Sequence, residues 1–314
     1  MLRSLHYLDE GVGAVLSHAQ CRGVWVPLVT PFRDEHPNLD VLADVVEWLL
    51  QRGVQGLLAL GSTGEAPHLT DDEAIDVVRC VVEVNAGRVP VMVGAGRPSV
   101  HGTVHSIERF ARAGADAALV ITPSYYRGRM QPDVLLAYYT RVASSSALPV
   151  FVYSIPQVTG IELDAAWMEA VLQHDNVWGF KDSSARAGPL AETLQRTTTH
   201  AFVGGGARIV EALQAGAGAG ILAVAHVLPE VCTRLFAAWH DGRRDVTHAM
   251  QAHATALTEA WEGWTVPAVK WALQERGLPV GSPRLPLPPA SSAVQERVRR
   301  VLAAANVVNE DTAP

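Results

Sequence analysis

The chain has 314 residues, of which 48% are apolar and 18% charged, so it can bury enough apolar surface to fold and is not intrinsically disordered. Its 25 lysines and arginines face 32 acidic residues, for a net charge of −7, and the absence of a basic run argues against nucleic-acid binding. Three well-separated cysteines, Cys21, Cys80 and Cys232, predict neither a disulfide framework nor a zinc ribbon and are typical of a reducing cytoplasm. No apolar run is long enough for a membrane helix, and the first 22 residues lack the apolar core of a signal peptide. We therefore expect a cytoplasmic protein with a native N-terminal extension and no membrane partner.

Eight short apolar runs, each followed by an amphipathic stretch, recur between residues 23 and 227. The runs are Val24–Val29, Gly56–Leu60, Val89–Val93, Ala117–Ile121, Val150–Tyr153, Val177–Phe180, Ala201–Val203 and Ala219–Val224. Most of them are continuously apolar, as expected for parallel strands that are covered on both faces. Eight strand–helix units predict an α/β protein with a (β/α)8 TIM barrel. A doubly wound sheet is the alternative, but no Gly-x-Gly-x-x-Gly follows the first strand.

The helical stretches carry ordinary start signals. Thr70 with Glu73 three residues later predicts a capping box, Ser99 and Asp164 are candidate N-caps, and Pro132 suits a first helical turn. Further helical patterns follow at Arg234–His240, His248–Trp261, Val266–Arg276 and Ala293–Ala304. The sequence thus predicts an N-terminal extension (1–22), a catalytic barrel (23–227), a C-terminal helical appendage (228–306) that is a candidate subunit contact, and a frayed tail (307–314).

Only two lysines occur, Lys181 and Lys270, whereas the other 23 basic residues are arginine. Because a guanidinium stays protonated, arginine cannot replace lysine as an amine nucleophile, so a retained lysine is a candidate for chemistry. Lys181 ends the sixth predicted strand, where a barrel places its active site, and its stem rises from an apolar wall. Desolvation there disfavours the ammonium and frees the amine to attack a carbonyl. The alternative is a lysine paired with a carboxylate such as Asp182.

Other strand ends supply partners for that amine. Tyr153 ends the adjacent fifth strand, where its phenol can move protons to and from a carbinolamine, or can simply bond to backbone at the rim. The Ser62-Thr63 pair lies between glycines after the second strand, and such a turn offers N–H groups and hydroxyls to a carboxylate. Glu65 has no assigned catalytic role. Lys270 lies in an apolar helical segment, and we interpret it as structural, with its stem on that surface and its ammonium at water or a carboxylate.

Three motifs resemble the dihydrodipicolinate synthase/N-acetylneuraminate lyase family over about residues 22–300: Gly61-Ser62-Thr63-Gly64-Glu65, Tyr153-Ser154-Ile155-Pro156 with Thr159-Gly160, and Gly179-Phe180-Lys181-Asp182. The resemblance implies a (β/α)8 barrel with C-terminal helices, usually a homotetramer, that forms a Schiff base with pyruvate or another 2-oxo acid and uses neither metal nor cofactor. It makes Lys181 the imine lysine and Tyr153 the proton-transfer tyrosine. It makes Ser62 part of the proton relay and Thr63, with Gly61, part of the carboxylate site. It also implies that Tyr126 completes the relay from a neighbouring subunit and that Gly205 and Ile221 line the pocket.

The sequence departs from dihydrodipicolinate synthases at two places. Those enzymes usually carry two threonines where this chain has Ser62-Thr63. Those enzymes usually carry arginine where this chain has Val158, and they use it to bind the carboxylate of the aldehyde substrate. The stretch Tyr125-Tyr126-Arg127-Gly128-Arg129-Met130 looks more like the 4-hydroxy-2-oxoglutarate aldolase branch. Arg127, Arg129 or Arg186 could then serve a distal carboxylate, or each could be a solvated surface charge. We therefore expect a Schiff-base lyase or aldolase of that branch, with dihydrodipicolinate synthase as the alternative.

The sequence leaves three further hypotheses open. His101 and His105 have the spacing of a helical metal-ligand pair and His68 lies near Glu65, but without an adjacent glutamate a solvated helix face is the better account. The glycines at 204–206, 216, 218 and 220 could cradle a phosphate, although close helix–strand packing explains them equally well. A non-catalytic regulator that binds a 2-oxo acid is the alternative outside the enzymes, and an intact Lys181 and Tyr153 argue against it.

Overall fold

Eight parallel strands close into a barrel in the computed structural model, which describes residues 16–186, 188–261, 263 and 265–305. Each strand pairs with the next in the chain, and β1 closes the ring by pairing with both β2 and β8. The barrel strands are β1 (Gly23–Pro27), β2 (Gly56–Ala59), β3 (Val91–Gly94), β4 (Ala117–Ile121), β5 (Val150–Ser154), β6 (Val177–Asp182), β7 (His200–Val203) and β8 (Ala219–Ile221). The predicted TIM barrel is therefore confirmed, and each predicted run coincides with a strand to within a few residues.

Helices alternate with the strands and cover the barrel. They are α1 (Leu39–Gln51), α2 (Asp71–Asn85), α3 (Val100–Arg112), α4 (Pro132–Ser145), α5 (Pro156–Thr159), α6 (Ala165–Val171), α7 (Gly188–Arg196), α8 (Ile209–Gln214) and α9 (Val224–Val227). The start signals hold in three dimensions. The Thr70 hydroxyl accepts from the Glu73 N–H while the Glu73 carboxylate accepts from the Thr70 N–H. Ser99 caps α3 by accepting from the Gly102 N–H, and Asp164 caps α6 by accepting from the Trp167 N–H. Pro132 occupies the first turn of α4.

Side chains alternate between two apolar layers along each strand. On β5, Val150 and Val152 pack outwards against the helices, whereas Phe151 and Tyr153 point into the barrel. Aromatic and aliphatic side chains fill the interior, where Phe202 makes edge contacts with Trp25 and Phe151 at centroid distances of 5.3 and 5.6 Å. The barrel is thus a packed core, which leaves the carboxyl ends of the strands as the place where side chains can meet a ligand.

Four long helices follow the barrel in the part of the chain up to residue 305: α10 (Pro229–His240), α11 (Arg244–Ala260), α12 (Thr265–Glu275) and α13 (Ser292–Ala304). They confirm the C-terminal helical appendage, and all four coincide with the predicted helical patterns. A small antiparallel pair, Phe32–Arg33 with His36–Pro37, lies after β1. Within the described ranges no helix is long and apolar enough to cross a membrane. The predicted tail (307–314) and residues 1–15 of the predicted extension lie outside the described residues, and the proposed division at 22/23 and 227/228 stays a prediction.

Candidate active site

Lys181 and Tyr153 are direct neighbours at the carboxyl ends of β6 and β5, because the register of the two strands places them opposite each other. Both side chains belong to the inward-facing set and are only 5% exposed. The Lys181 Nζ atom lies 4.4 Å from the centroid of the Tyr153 ring. A desolvated amine therefore faces an aromatic ring that carries a phenol, which is the pairing that attack on a carbonyl and proton transfer require.

Asp182 does not neutralise this lysine, although it follows it directly in sequence. Its carboxylate accepts from the Ser184 N–H at 2.8 Å and from the Ser184 hydroxyl at 3.0 Å. Burial raises the pKa of Asp182, an effect that the bonds from Ser184 oppose. The Lys181 side-chain amine forms neither an ion pair nor a hydrogen bond with any described residue, so the alternative of a Lys181–Asp182 pair is wrong.

The turn after β2 holds Ser62 exposed and Thr63 buried. Two residues with left-handed backbone flank it, Leu60 at φ 57° and Glu65 at φ 55°, and each such residue costs about 1 kcal/mol or more. Gly64 has no room for a side chain, since a Cβ there would lie 2.9 Å from the Leu28 carbonyl oxygen. The surrounding structure therefore holds this turn in one conformation.

A cavity of about 510 Å³, here called the mouth cavity, opens between the ends of β2, β3, β4 and β5. Gly61, Ser62 and Tyr153 line it, so the structure brings together three of the residues that the sequence singled out. Arg97 also lines the mouth cavity and is the one cationic side chain to do so among the described residues. Sequence analysis missed Arg97, although it follows β3 by the same strand-end rule that selected the others.

A second depression of about 560 Å³, here called the arginine groove, adjoins the mouth cavity and shares Ser124 and Tyr125 with it. Tyr126, Arg127, Arg129 and Val158 line this groove. Tyr126 is 69% exposed and does not reach the mouth cavity of its own chain. The groove therefore contains two arginines next to Val158, the position at which dihydrodipicolinate synthases usually carry an arginine.

Arg127 reaches this place from a different loop. Its guanidinium packs over Gly160, where a Cβ would come within 2.5 Å of Nη1. Arg127 has neither an ion pair nor a hydrogen bond through its guanidinium within the part of the chain that the structure describes. Arg186, in contrast, is paired with Glu162 at 2.6 Å between two exposed side chains, which makes it a surface charge.

Four other predicted site residues, Lys181, Thr63, Ile221 and Gly205, line neither of the two cavities. Ile221 is buried inside the barrel in the same cluster as Tyr153. Gly205 is half-buried after β7 and lines neither cavity. Its neighbour Gly206 packs closely on α11, since a Cβ would lie 2.6 Å from the Thr258 hydroxyl, and this supports the packing interpretation of that glycine.

The candidate metal ligands do not form a cluster. His101 and His105 are both exposed on α3, with ring centroids 6.4 Å apart, as a solvated helix face would have them. The imidazole of His68 lies 3.3 Å from the Glu65 carboxylate. Over the described ranges, no group of three or more histidine, cysteine, aspartate or glutamate side chains could hold a metal ion.

A buried lysine beside a tyrosine, at the ends of the sixth and fifth strands of a closed barrel, suits a class I lyase, which forms an imine on a lysine. A family model described as the dihydrodipicolinate synthetase family matches residues 20–305. An uncharacterised DapA-like lyase of Halobacterium salinarum is 36% identical over 84% of this chain and 88% of its own. A 4-hydroxy-tetrahydrodipicolinate synthase of Acidiphilium cryptum is 33% identical over 89% of this chain and 97% of its own. The chain belongs to the dihydrodipicolinate synthetase family.

Solved structures agree with this assignment. The chloride-inhibited dihydrodipicolinate synthase of Acinetobacter baumannii, solved in complex with pyruvate, superposes with a TM-score of 0.86 at 26% identity. The match covers 91% of this chain and 99% of that one. The protein is therefore a carbon–carbon lyase of this family, built on the same barrel.

Proposed function

We propose that the protein is an aldolase that cleaves or forms 4-hydroxy-2-oxo acids through an imine on Lys181, without a metal or other cofactor. The observation that supports this most directly is the unpaired, buried Lys181 amine beside the Tyr153 ring. The pyruvate complex of the related synthase shows a 2-oxo acid in a barrel of this kind and supports pyruvate as the common moiety.

The chemistry follows from an amine that acts as an electron sink. The Lys181 amine adds to the C2 carbonyl of the 2-oxo acid, water leaves, and a protonated imine forms. Removal of the C4 hydroxyl proton, the role proposed for Tyr153, breaks the C3–C4 bond and sends its electron pair into the imine as an enamine. An aldehyde leaves, C3 takes up a proton, and hydrolysis returns pyruvate and the free lysine.

The turn of Gly61, Ser62 and Thr63 is the proposed site for the carboxylate next to the ketone. Ser62 lines the mouth cavity beside Tyr153, which suits it to pass protons between that phenol and the substrate. Ile221 and Gly205 are proposed as backbone lining nearer the lysine. Tyr126 is proposed to complete the relay of a neighbouring subunit, and its 69% exposure, with 82% for Tyr125, supports a homo-oligomer, either a dimer or a tetramer.

The arginine groove favours a substrate with a second carboxylate, as in 4-hydroxy-2-oxoglutarate. Arg127 is its best-placed donor, since it packs over Gly160 beside Val158, and a guanidinium can bind a carboxylate through two parallel hydrogen bonds. Arg129 lines the same groove and is the second candidate. A location in the cytoplasm is also proposed, supported by three cysteines that are all free.

Dihydrodipicolinate synthase is the second candidate, because relatives such as that of Acidiphilium cryptum carry that activity in their names. The test compares kcat/KM for cleavage of 4-hydroxy-2-oxoglutarate with kcat/KM for condensation of pyruvate with aspartate semialdehyde. We expect cleavage to exceed condensation by about tenfold to a hundredfold, because Val158 removes the donor that the synthases usually place beside the carboxylate of the semialdehyde, at a cost of about 1–3 kcal/mol. Faster condensation would establish the synthase instead.

A comparison of two substrates tests whether Arg127 binds the distal carboxylate. Arg127→Gln should lower kcat/KM for 4-hydroxy-2-oxoglutarate while leaving 4-hydroxy-2-oxopentanoate, which lacks the distal carboxylate, nearly unchanged. Arg186→Gln is the matched control, because its guanidinium is already paired with Glu162. Equal losses on both substrates would remove Arg127 from the proposed site.

A further inference from the structure

The second lysine of the chain forms a buried ion pair directly behind the Ser62-Thr63 turn. The Nζ atom of Lys270, on α12, lies 2.6 Å from Oε1 of Glu65, and the two side chains are 1% and 0% exposed. The Lys270 ammonium also donates to the Ser282 carbonyl at 3.2 Å and lies 4.2 Å from the centroid of the Phe32 ring. The C-terminal helices are thereby joined to the loop that is proposed to bind the substrate carboxylate.

The Glu65 carboxylate is held on its other side as well. Oε2 accepts from the backbone N–H of Arg284 at 2.9 Å and lies 3.3 Å from Nδ1 of His68. Glu65 itself has a left-handed backbone and ends the turn. The Glu65 carboxylate thus ties the turn that contains Ser62 and Thr63 to Lys270 and Arg284 in the C-terminal part of the chain.

The charges matter to a ligand that is itself an anion. A buried carboxylate behind a carboxylate-binding turn repels the substrate unless a cation neutralises it, and low-dielectric surroundings strengthen that repulsion. Burial lowers the pKa of Lys270, whereas the nearby Glu65 carboxylate raises it. A lysine kept in this position has a cost that an apolar pair of similar volume would avoid.

We infer that Glu65 and Lys270 are positioning residues for 2-oxo acid binding, with Glu65 fixing the Ser62-Thr63 turn and Lys270 cancelling its charge. This inference rests on the proposed function, since it assigns the turn to the substrate carboxylate. Lys270 touches neither substrate nor the reacting atoms, and the pair acts only through the turn. Arg284 already links the same two parts of the fold, because it binds the Glu73 carboxylate at 2.8 Å. Stability alone therefore does not require the Glu65–Lys270 pair.

The experiment measures how much pyruvate is needed for half-maximal reductive trapping of Lys181 by borohydride, together with the rate of trapping at saturating pyruvate. Lys270→Met should raise the half-saturating concentration about tenfold to a hundredfold, as expected for a displaced binding group. The trapping rate at saturation should stay within about threefold, because the amine itself is untouched. The double variant Glu65→Gln/Lys270→Met, which removes both charges, should recover most of the loss.

Two controls separate positioning from stability. Arg88→Met breaks an exposed ion pair with Glu47 of the same 2.6 Å length and should leave half-saturation unchanged. If Lys270→Met does not fold, Lys270→Gln, which keeps an N–H donor but no charge, must show the same rise. A lowered Tm with an unchanged half-saturating concentration, in whichever of these two variants folds, would overturn the inference. Absence of any adduct on Lys181 in the wild-type protein would instead overturn the proposed function.

Discussion

A buried histidine near the barrel mouth makes the stability of the fold depend on pH. His226 lies on α9 and is fully buried, and its Nε2 atom accepts from the backbone N–H of Val29, just after β1, at 3.0 Å. Accepting that bond requires a neutral ring with its proton on Nδ1. Burial accordingly lowers the pKa of His226 to about 4. Protonating Nε2 would place two N–H donors against each other.

The size of the effect follows from proton linkage. The pKa is about 6.5 in the unfolded chain and about 4 in the fold, so between these values the unfolded state binds more protons. The contribution of His226 to the free energy of unfolding is therefore fully present above about pH 6.5 and decreases as the pH falls. At pH 5.0 the loss from this one group is about 2 kcal/mol relative to pH 7.5.

Urea unfolding followed by tryptophan fluorescence at pH 7.5 and 5.0 measures this loss. His226→Gln, whose amide oxygen can accept from Val29, should lose about 2 kcal/mol less than the wild type between the two pH values. His248→Gln, at an exposed position on α11, is the matched control and should follow the wild type. Equal losses in wild type and His226→Gln would refute the reasoning.

Three further predictions concern the proposed chemistry. Tyr153→Phe should lower kcat by about 10² or more, because proton transfer loses its group, while borohydride still traps pyruvate on Lys181; a kcat within threefold would remove Tyr153 from the mechanism. Val158→Arg should raise kcat/KM for condensation with aspartate semialdehyde about tenfold to a hundredfold, and no gain would mean that the groove does not receive that carboxylate. Dialysis against EDTA should leave turnover intact. If EDTA abolished turnover and zinc restored it, the enzyme would depend on a metal ion.

The fold could be predicted from the sequence because its signals are local and repeated. Continuous apolar runs identify buried parallel strands, and capping residues such as Thr70 act within a single turn. The position of Lys181 was predictable for the same reason, since the carboxyl ends of all eight strands of a barrel lie at the same mouth. The alternative of a Lys181–Asp182 pair could not be excluded from the sequence, because the two residues are adjacent and only the fold shows the Asp182 carboxylate bound by Ser184.

Long-range pairs were beyond the reach of the sequence. Glu65 and Lys270 are 205 positions apart in the printed sequence, and neither an amphipathic pattern nor a motif connects them. The sequence predicted that the Lys270 ammonium would contact either water or a carboxylate, and the structure shows that it contacts the carboxylate of Glu65. Likewise, Arg127 approaches Gly160 only because the loops after β4 and β5 lie side by side at the mouth.

The central claim is that Lys181 is the nucleophile, and one measurement tests it most directly. Pyruvate and borohydride are added together, and the protein is analysed by intact mass and peptide mapping. The account predicts a single reduced pyruvate adduct, located on Lys181, and none in Lys181→Arg, which keeps the charge but not the nucleophile. An adduct on Lys270, or no adduct at all in the folded wild-type protein, would contradict it.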